Sequence, residues 1–320
     1  MTTRVPAAPS RAFRLTVPGW SGLSAARRRE ALQGLAFISP WVVGFAAFTA
    51  YPMLASLYYS FTNYKGLGAP RWIGLTNYVT AFTGDPLFWL SLQRTLVWVI
   101  VTVPLGIVGS LLAAVLLNRG LRGMAFYRTA FFLPSLTPIV AATLLWTWIL
   151  QPDIGVVNAT IEALTGQRGP KWLADPDWAL WSLAIISLWT SIGGNRMLIF
   201  LAALQGIPQE LYDAARVDGA NPLQTLWRIT VPLITPAIFF NLVLGVIASF
   251  RVFAFAYVAT GGGPARATYF YALHLYTMSF SSFDLGYGSA LAWILFVIVL
   301  VITIANIQMS KRWVYYESLR

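Results

Sequence analysis

Few residues in this chain could do chemistry, and those few lie inside apolar runs. Asn195 and Arg196 follow a Gly193-Gly194 pair in one run, and Asn241, Ser249 and Arg251 lie in another. An arginine within a bilayer-length apolar run costs at least about 2.5–3.5 kcal/mol on insertion scales, so it must face a cavity or a partner. Phe250, Phe253, Phe255 and Tyr257 crowd the second run. Hydrogen-bonding groups beside aromatic faces suit a sugar. On a helical wheel Asn241, Ala248 and Arg251 share one broad face. These residues read as the lining of a substrate path, with Arg251 offering its charge to an anionic group or its donors to hydroxyls. Helix packing or contact with a second subunit would explain them as well, and for Asn195 and Arg196 that reading is the stronger.

No catalytic constellation accompanies them. No glycine-rich loop ends in Lys-Ser or Lys-Thr, and Gly261-Gly262-Gly263-Pro264 reads as a tight external turn. His274 is the sole histidine, set among Tyr269, Phe270, Tyr271 and Tyr276, and reads as a structural hydrogen-bonding residue. Cysteine is absent and metal-ligand spacing is missing, so no metal, cofactor or catalytic residue is expected. A membrane enzyme would need a clustered acid, His or Ser site, and none is visible.

The elements that must position these groups follow from composition. Of 320 residues, 58% are hydrophobic and only 10% charged, and mean hydropathy is +0.66. Soluble domains carry about a quarter charged residues, so the chain lacks the polar surface of a soluble globule. Six apolar runs are long enough to span a bilayer: 32–61, 96–117, 126–150 with Pro134 and Pro138 inside, 178–204, 233–257 and 289–307. The predicted fold is all-α and polytopic, with six transmembrane helices over 31–310. A flexible basic tail (1–30) precedes them, and a short tail (311–320) follows. The net charge of +11 comes from basic flanks and not from any nucleic-acid motif. Arg4, Arg11, Arg14, Arg27, Arg28 and Arg29, then Arg119, Arg122 and Arg128, then Lys311, Arg312 and Arg320 share one side of a six-span layout. The positive-inside rule puts that side, and both termini, in the cytoplasm of a multi-pass plasma-membrane protein. No Asp or Glu lies within the six runs, which weighs against a self-sufficient ion-coupled carrier.

The cytoplasmic loop 207–232 carries the strongest signal. Pro208 opens a helix with Glu210 and Asp213 in its first turns, Gly219 closes it, and Asn221-Pro222 opens a second short helix expected to end before Pro232. The result is a helix-turn-helix knob with small residues Ala214, Ala215 and Ala220. This segment resembles the coupling loop of importer permeases in the ATP-binding-cassette (ABC) superfamily: Glu-Ala-Ala, two residues, Asp-Gly-Ala, then Phe, Ile and Leu-Pro. Here it reads Asp213-Ala214-Ala215, Asp218-Gly219-Ala220, Leu226, Ile229 and Val231-Pro232. The departures are Asp213 for Glu, Leu226 for Phe and Val231 for Leu. Residues 131–134, 193–196, 201–208, 262–264 and 286–290 add a likeness to the carbohydrate-uptake branch, the permeases for sugars and glycerol-3-phosphate. The resemblance covers roughly 32–317.

The resemblance implies a type I importer permease fold and a heterodimer with a second homologous permease. It further implies a pair of ABC ATPase subunits that hold ATP and magnesium, and an extracytoplasmic solute-binding protein. Asp213, Ala214, Ala215, Asp218, Gly219 and Ala220 would form the ATPase contact, and the chain itself would do no covalent chemistry. The expected cargo is a sugar or oligosaccharide, with glycerol-3-phosphate or another polyol as the alternative.

Overall fold

The computed structural model describes residues 24–118 and 123–315. Arg4, Arg11, Arg14, Arg119, Arg122 and Arg320, with most of the expected 1–30 tail, lie outside the described residues. Those described are mainly helical, and the only extended pairing among them is an isolated bridge between Thr62 and Trp72. The chain divides into two compact units, Met1–Ser56 and Leu57–Arg320. Helix α1, Ala25–Ser60, begins in the first on Ser24, whose side chain accepts the Arg27 N–H. It leaves Phe37, Trp41 and Phe48 exposed.

In the second unit three helices start on the same local chemistry. Asp85, Asp175 and Asn221 are extended N-cap residues whose side chains accept backbone N–H groups, and Pro86, Pro176 and Pro222 occupy the first helical turn. Helix α2, Pro86–Leu117, therefore begins well before the expected boundary at Leu96: capping, not hydropathy, sets its start. Its 32 residues make a rod of about 48 Å.

Helices α3, Met124–Leu136, and α4, Ile139–Ile149, meet at 96°. Helix α5, Val156–Thr165, ends on Gly166. Helices α6, Pro176–Ile192, and α7, Asn195–Gln205, meet at 44° across Gly193-Gly194. Helix α8, Gln209–Val217, is followed by α9, Pro222–Leu233, which meets α10, Thr235–Phe250, at 68°. Short helices α11, Ala254–Ala259, and α12, Tyr271–Tyr276, precede α13, Leu285–Ser310. Helices α1, α2 and α13 are each long and apolar enough to cross a membrane, and each bent pair passes the same test jointly, so three to six spans are available.

Two further expected boundaries move. The second knob helix does not stop before Pro232. A π turn at Leu226–Thr230 precedes it, and helix continues to Leu233. Proline lacks the N–H and crowds the preceding turn, and a widened turn absorbs both. The fifth run does not stay helical to Tyr257. Helix α10 tightens at its end, with Arg251 N–H donating to Ala248 O at 3.1 Å and Val252 N–H to Ser249 O at 3.2 Å, and the chain turns away. Arg251 is thus a helix-end residue, and its shared face with Asn241 does not form.

Helix α2 is the hub, packed on α6, α7, α10 and α12. Trp98, Leu183, Met197, Phe200, Phe250 and Phe270 form its core, with Trp98 and Phe270 ring centroids 5.1 Å apart. The buried hydroxyls of Ser91, Thr95 and Thr102 donate back to carbonyls of their own helix, which satisfies them in an apolar setting.

Candidate functional site: a knob, a cavity and a buried acid–histidine pair on one helix

The knob lies at the Leu117 end of α2, where a recess of about 420 Å³ is shared by Val115, Asn118, Tyr212 and Thr225. Gly219 takes the left-handed conformation, φ +74°, that lets the chain reverse after α8. The Gly219 and Ala220 N–H groups donate to Arg216 O and Ala215 O at 3.1 and 2.9 Å. Asn221 and Gln224 then form a reciprocal capping box, 2.8 and 2.9 Å. The Tyr212 and Thr230 hydroxyls, 3.2 Å apart, tie α8 to α9. Between the two helices opens a concave surface of about 520 Å³ lined by Ala214, Ala215, Asp218, Gly219, Ala220 and Arg228. Asp213 lies aside from it, exposed and 3.2 Å from Arg216.

A second cavity, about 480 Å³, opens beside the middle of α2. Thr102, Thr190, Ser191 and Ser249 give it hydroxyls, Phe253 gives it an aromatic face, buried Trp98 borders it, and Arg196 and Arg251 both reach it. Three sequence candidates therefore meet: Arg196, Ser249 and Arg251. Asn241 does not join them, since it is buried and donates to Ala237 O of its own helix at 2.9 Å. Asn195 is exposed and is not part of the lining. The Gly193-Gly194 break holds Arg196 in position. A Cβ on Gly193 would overlap the Phe131 carbonyl of α3, and one on Gly194 would sit 3.0 Å from the Ser135 side chain. Trp98, Thr102, Thr190 and Ser191 were missed by sequence reasoning. Thr190 and Ser191 carried one available signal, as hydroxyls just before the glycine break, and Trp98 and Thr102 carried none.

A third arrangement caps the opposite end of α2. His274 Nε2 lies 2.8 Å from Asp85 Oδ2, and the Tyr287 hydroxyl donates to the same oxygen at 2.6 Å. The other carboxylate oxygen accepts the Leu87 N–H at 2.8 Å. Burial favours the uncharged acid, but these hydrogen bonds and the neighbouring imidazole outweigh it, and Asp85 ends below its ordinary value. Burial also dominates at His274 and lowers it, against the pull of Asp85. A neutral imidazole then donates from Nε2 to the carboxylate and accepts the Tyr269 hydroxyl at Nδ1, 3.2 Å away. The structural reading of His274 holds, although its partner lies far away in sequence. Among the described residues no group of three or more His, Asp or Glu could hold a metal ion.

Residues 106–313, which contain the knob and most of the cavity lining, match the family profile described as binding-protein-dependent transport system inner membrane component. The chain belongs to this family. The permease is 45% identical over 294 residues to "Probable ABC transporter permease protein YesP" of Bacillus subtilis (strain 168), covering 91% of this chain and 94% of that protein. It is 32% identical over 285 residues to the sulfoquinovosyl glycerol transport system permease protein SmoG of Agrobacterium fabrum, covering 88% and 91%. Among solved structures, a bacterial ABC transporter involved in the import of the acidic polysaccharide alginate superposes with a TM-score of 0.80 at 25% identity. That match covers 90% of the permease and 97% of its counterpart.

Proposed function

We propose that the permease is the membrane-spanning subunit of an ATP-driven importer that carries a carbohydrate across the cytoplasmic membrane by alternating access. Six spans, with both termini in the cytoplasm, put the knob on the ATPase side and the Asp85 end outside. The observation that carries this reading is the arrangement along α2: knob at one end, polar and aromatic cavity at the middle. In this reading a cleft of an ABC ATPase grips Ala214, Ala215, Asp218, Gly219 and Ala220, with Asp213 at the rim. A second homologous permease closes the cavity, and an external binding protein delivers cargo. Asn195 and Asn241 act in packing within this assembly. ATP and magnesium stay on the partner subunits.

The relatives named above support a glycan cargo, since one transports sulfoquinovosyl glycerol and the solved neighbour imports alginate. Glycerol-3-phosphate or another polyol is the second reading. It is favoured by a 32% identical relative of Yersinia pestis, the sn-glycerol-3-phosphate transport system permease protein UgpA, which covers 85% of this chain and 92% of that protein.

Reconstitution in vesicles tests the proposal. Accumulation should require the ATPase subunits, and Gly219→Val should uncouple ATP hydrolysis from uptake. Accumulation without any ATPase would sink it, and unchanged coupling in Gly219→Val would sink the knob assignment.

A further inference from the structure

The cavity beside α2 holds two guanidinium groups and no acid. Arg196 comes from the start of α7 and Arg251 from the end of α10, and neither Asp nor Glu occurs in the lining. The ion pairs among the described residues are Arg168 with Asp153, Arg216 with Asp213 and His274 with Asp85, all elsewhere. No described residue makes a side-chain hydrogen bond or ion pair with Arg196 or Arg251.

Arg196 is also deliberately accommodated. Its two terminal nitrogens fill the slot that two glycines leave between α2 and α10. A Cβ at Gly106 would collide with Nη1, and one at Gly245 would lie 3.2 Å from Nη2. The fork is thereby held at the cavity wall with its donors unmatched. A cation kept in an apolar bundle without a counter-charge is strongly unfavourable. It persists where an anion or ordered polar ligand completes it, and a planar guanidinium fits a carboxylate, phosphate or sulfonate with paired hydrogen bonds. Phe253 supplies an apolar face for a pyranose ring, and Ser249 and Thr190 supply hydroxyls for its substituents.

We propose that the cavity is an anion-selecting cargo site, in which Arg196 and Arg251 together bind the acidic group of a charged saccharide. This rests on the reading of the cavity as part of the cargo path. It goes further by naming the charge of the cargo and by favouring, for Arg196, the ligand-binding reading over the packing one.

The test uses the complete importer, reconstituted with its second permease, ATPases and binding protein. The probes are uronate-containing disaccharides of several linkages, each beside its neutral methyl ester, and glycerol 3-phosphate beside glycerol. Uptake and ATPase stimulation are read together. The wild type should favour at least one acid over its neutral partner by roughly tenfold or more, the scale of a hydrogen-bonded charge pair. Arg196→Gln and Arg251→Gln should each collapse that ratio, while Arg251→Lys should restore part of it. Co-purification of the second permease is scored for every variant, and the wild-type ranking needs no variant at all. The inference is overturned if no acid enters, if neutral partners enter as well as the acids, or if acid and ester uptake fall in parallel in both Gln variants. That last result would leave the cargo path standing and remove only its charge selection. Uptake that needs no ATPase would instead remove the importer reading itself.

Discussion

His274 and Asp85 stand 189 positions apart in the chain, yet Nε2 and Oδ2 are 2.8 Å apart, with the imidazole fully enclosed and the carboxylate nearly so. The pair fastens α12 to the first turn of α2, and Tyr287 brings α13 to the same oxygen. Its pH behaviour follows from the lowered histidine. Above about pH 6.5 both the folded and unfolded imidazoles are neutral; below it the unfolded chain binds a proton that the buried ring resists. Stability from this site is therefore complete at neutral pH and lost as pH falls through the His274 value. Asp85, also lowered, adds a loss in the same direction at still lower pH. The thermal midpoint of the detergent-purified importer should drop between pH 7.5 and 5.5, and the drop should shrink in His274→Gln. A midpoint that rises on acidification would contradict the assignment.

Asp85→Ala removes the common acceptor of His274, Tyr287 and the Leu87 N–H. Leaving buried donors unmatched costs about 1–3 kcal/mol each, and losing the helix cap adds about 1 kcal/mol. The expected result is a destabilised α2 start, visible as faster amide exchange over residues 85–91. Exchange rates equal to the wild type would show that the network contributes little.

Gly193→Ala should be among the most damaging small substitutions in the chain. The added methyl meets the Phe131 carbonyl, which is backbone and cannot swing aside. Overpacking of this kind costs about 1–3 kcal/mol, and here it would also separate α3 from the α6–α7 break. Yield of folded permease and its melting temperature report the effect. Gly34→Ala, where nothing lies within 4 Å, serves as the comparison and should be nearly silent.

In the knob, Asn221→Ala breaks the capping box by removing the acceptor of the Gln224 N–H. The cost is about 1 kcal/mol of local helix stability, and Asn221→Asp should recover most of it. Coupling efficiency, read as uptake per ATP hydrolysed, should fall with the first change and return with the second. Equal ratios in all three proteins would argue that the knob needs no preset shape.

Local chemistry was legible in the sequence; distant meetings were not. The knob could be read because its signals, Pro208, Gly219 and Asn221-Pro222, act on neighbouring residues. The start of α2 was equally available in Asp85-Pro86, but hydropathy drew the boundary to Leu96. Periodicity misled at Arg251, because a wheel assumes a helix that in fact stops at Phe250. The cavity draws on α2, α6, α7 and α10, so its membership depends on packing that no window of sequence contains. Asn241 shows the cost of judging by residue type alone: an amide in an apolar run can be satisfied by the carbonyl one turn back.

The 68° bend at Ile234 joins the second knob helix straight to α10 with no intervening loop. Motion imposed on the knob thus enters a stiff bar of 16 residues through a single elbow. At and just past the bar's far tip sit Ser249 and Arg251, so in the proposed importer a tug on the knob would swing these two side chains relative to Arg196, which rides on a different rod. Grip and release of whatever lies between the two cations would then be geared to the stroke itself.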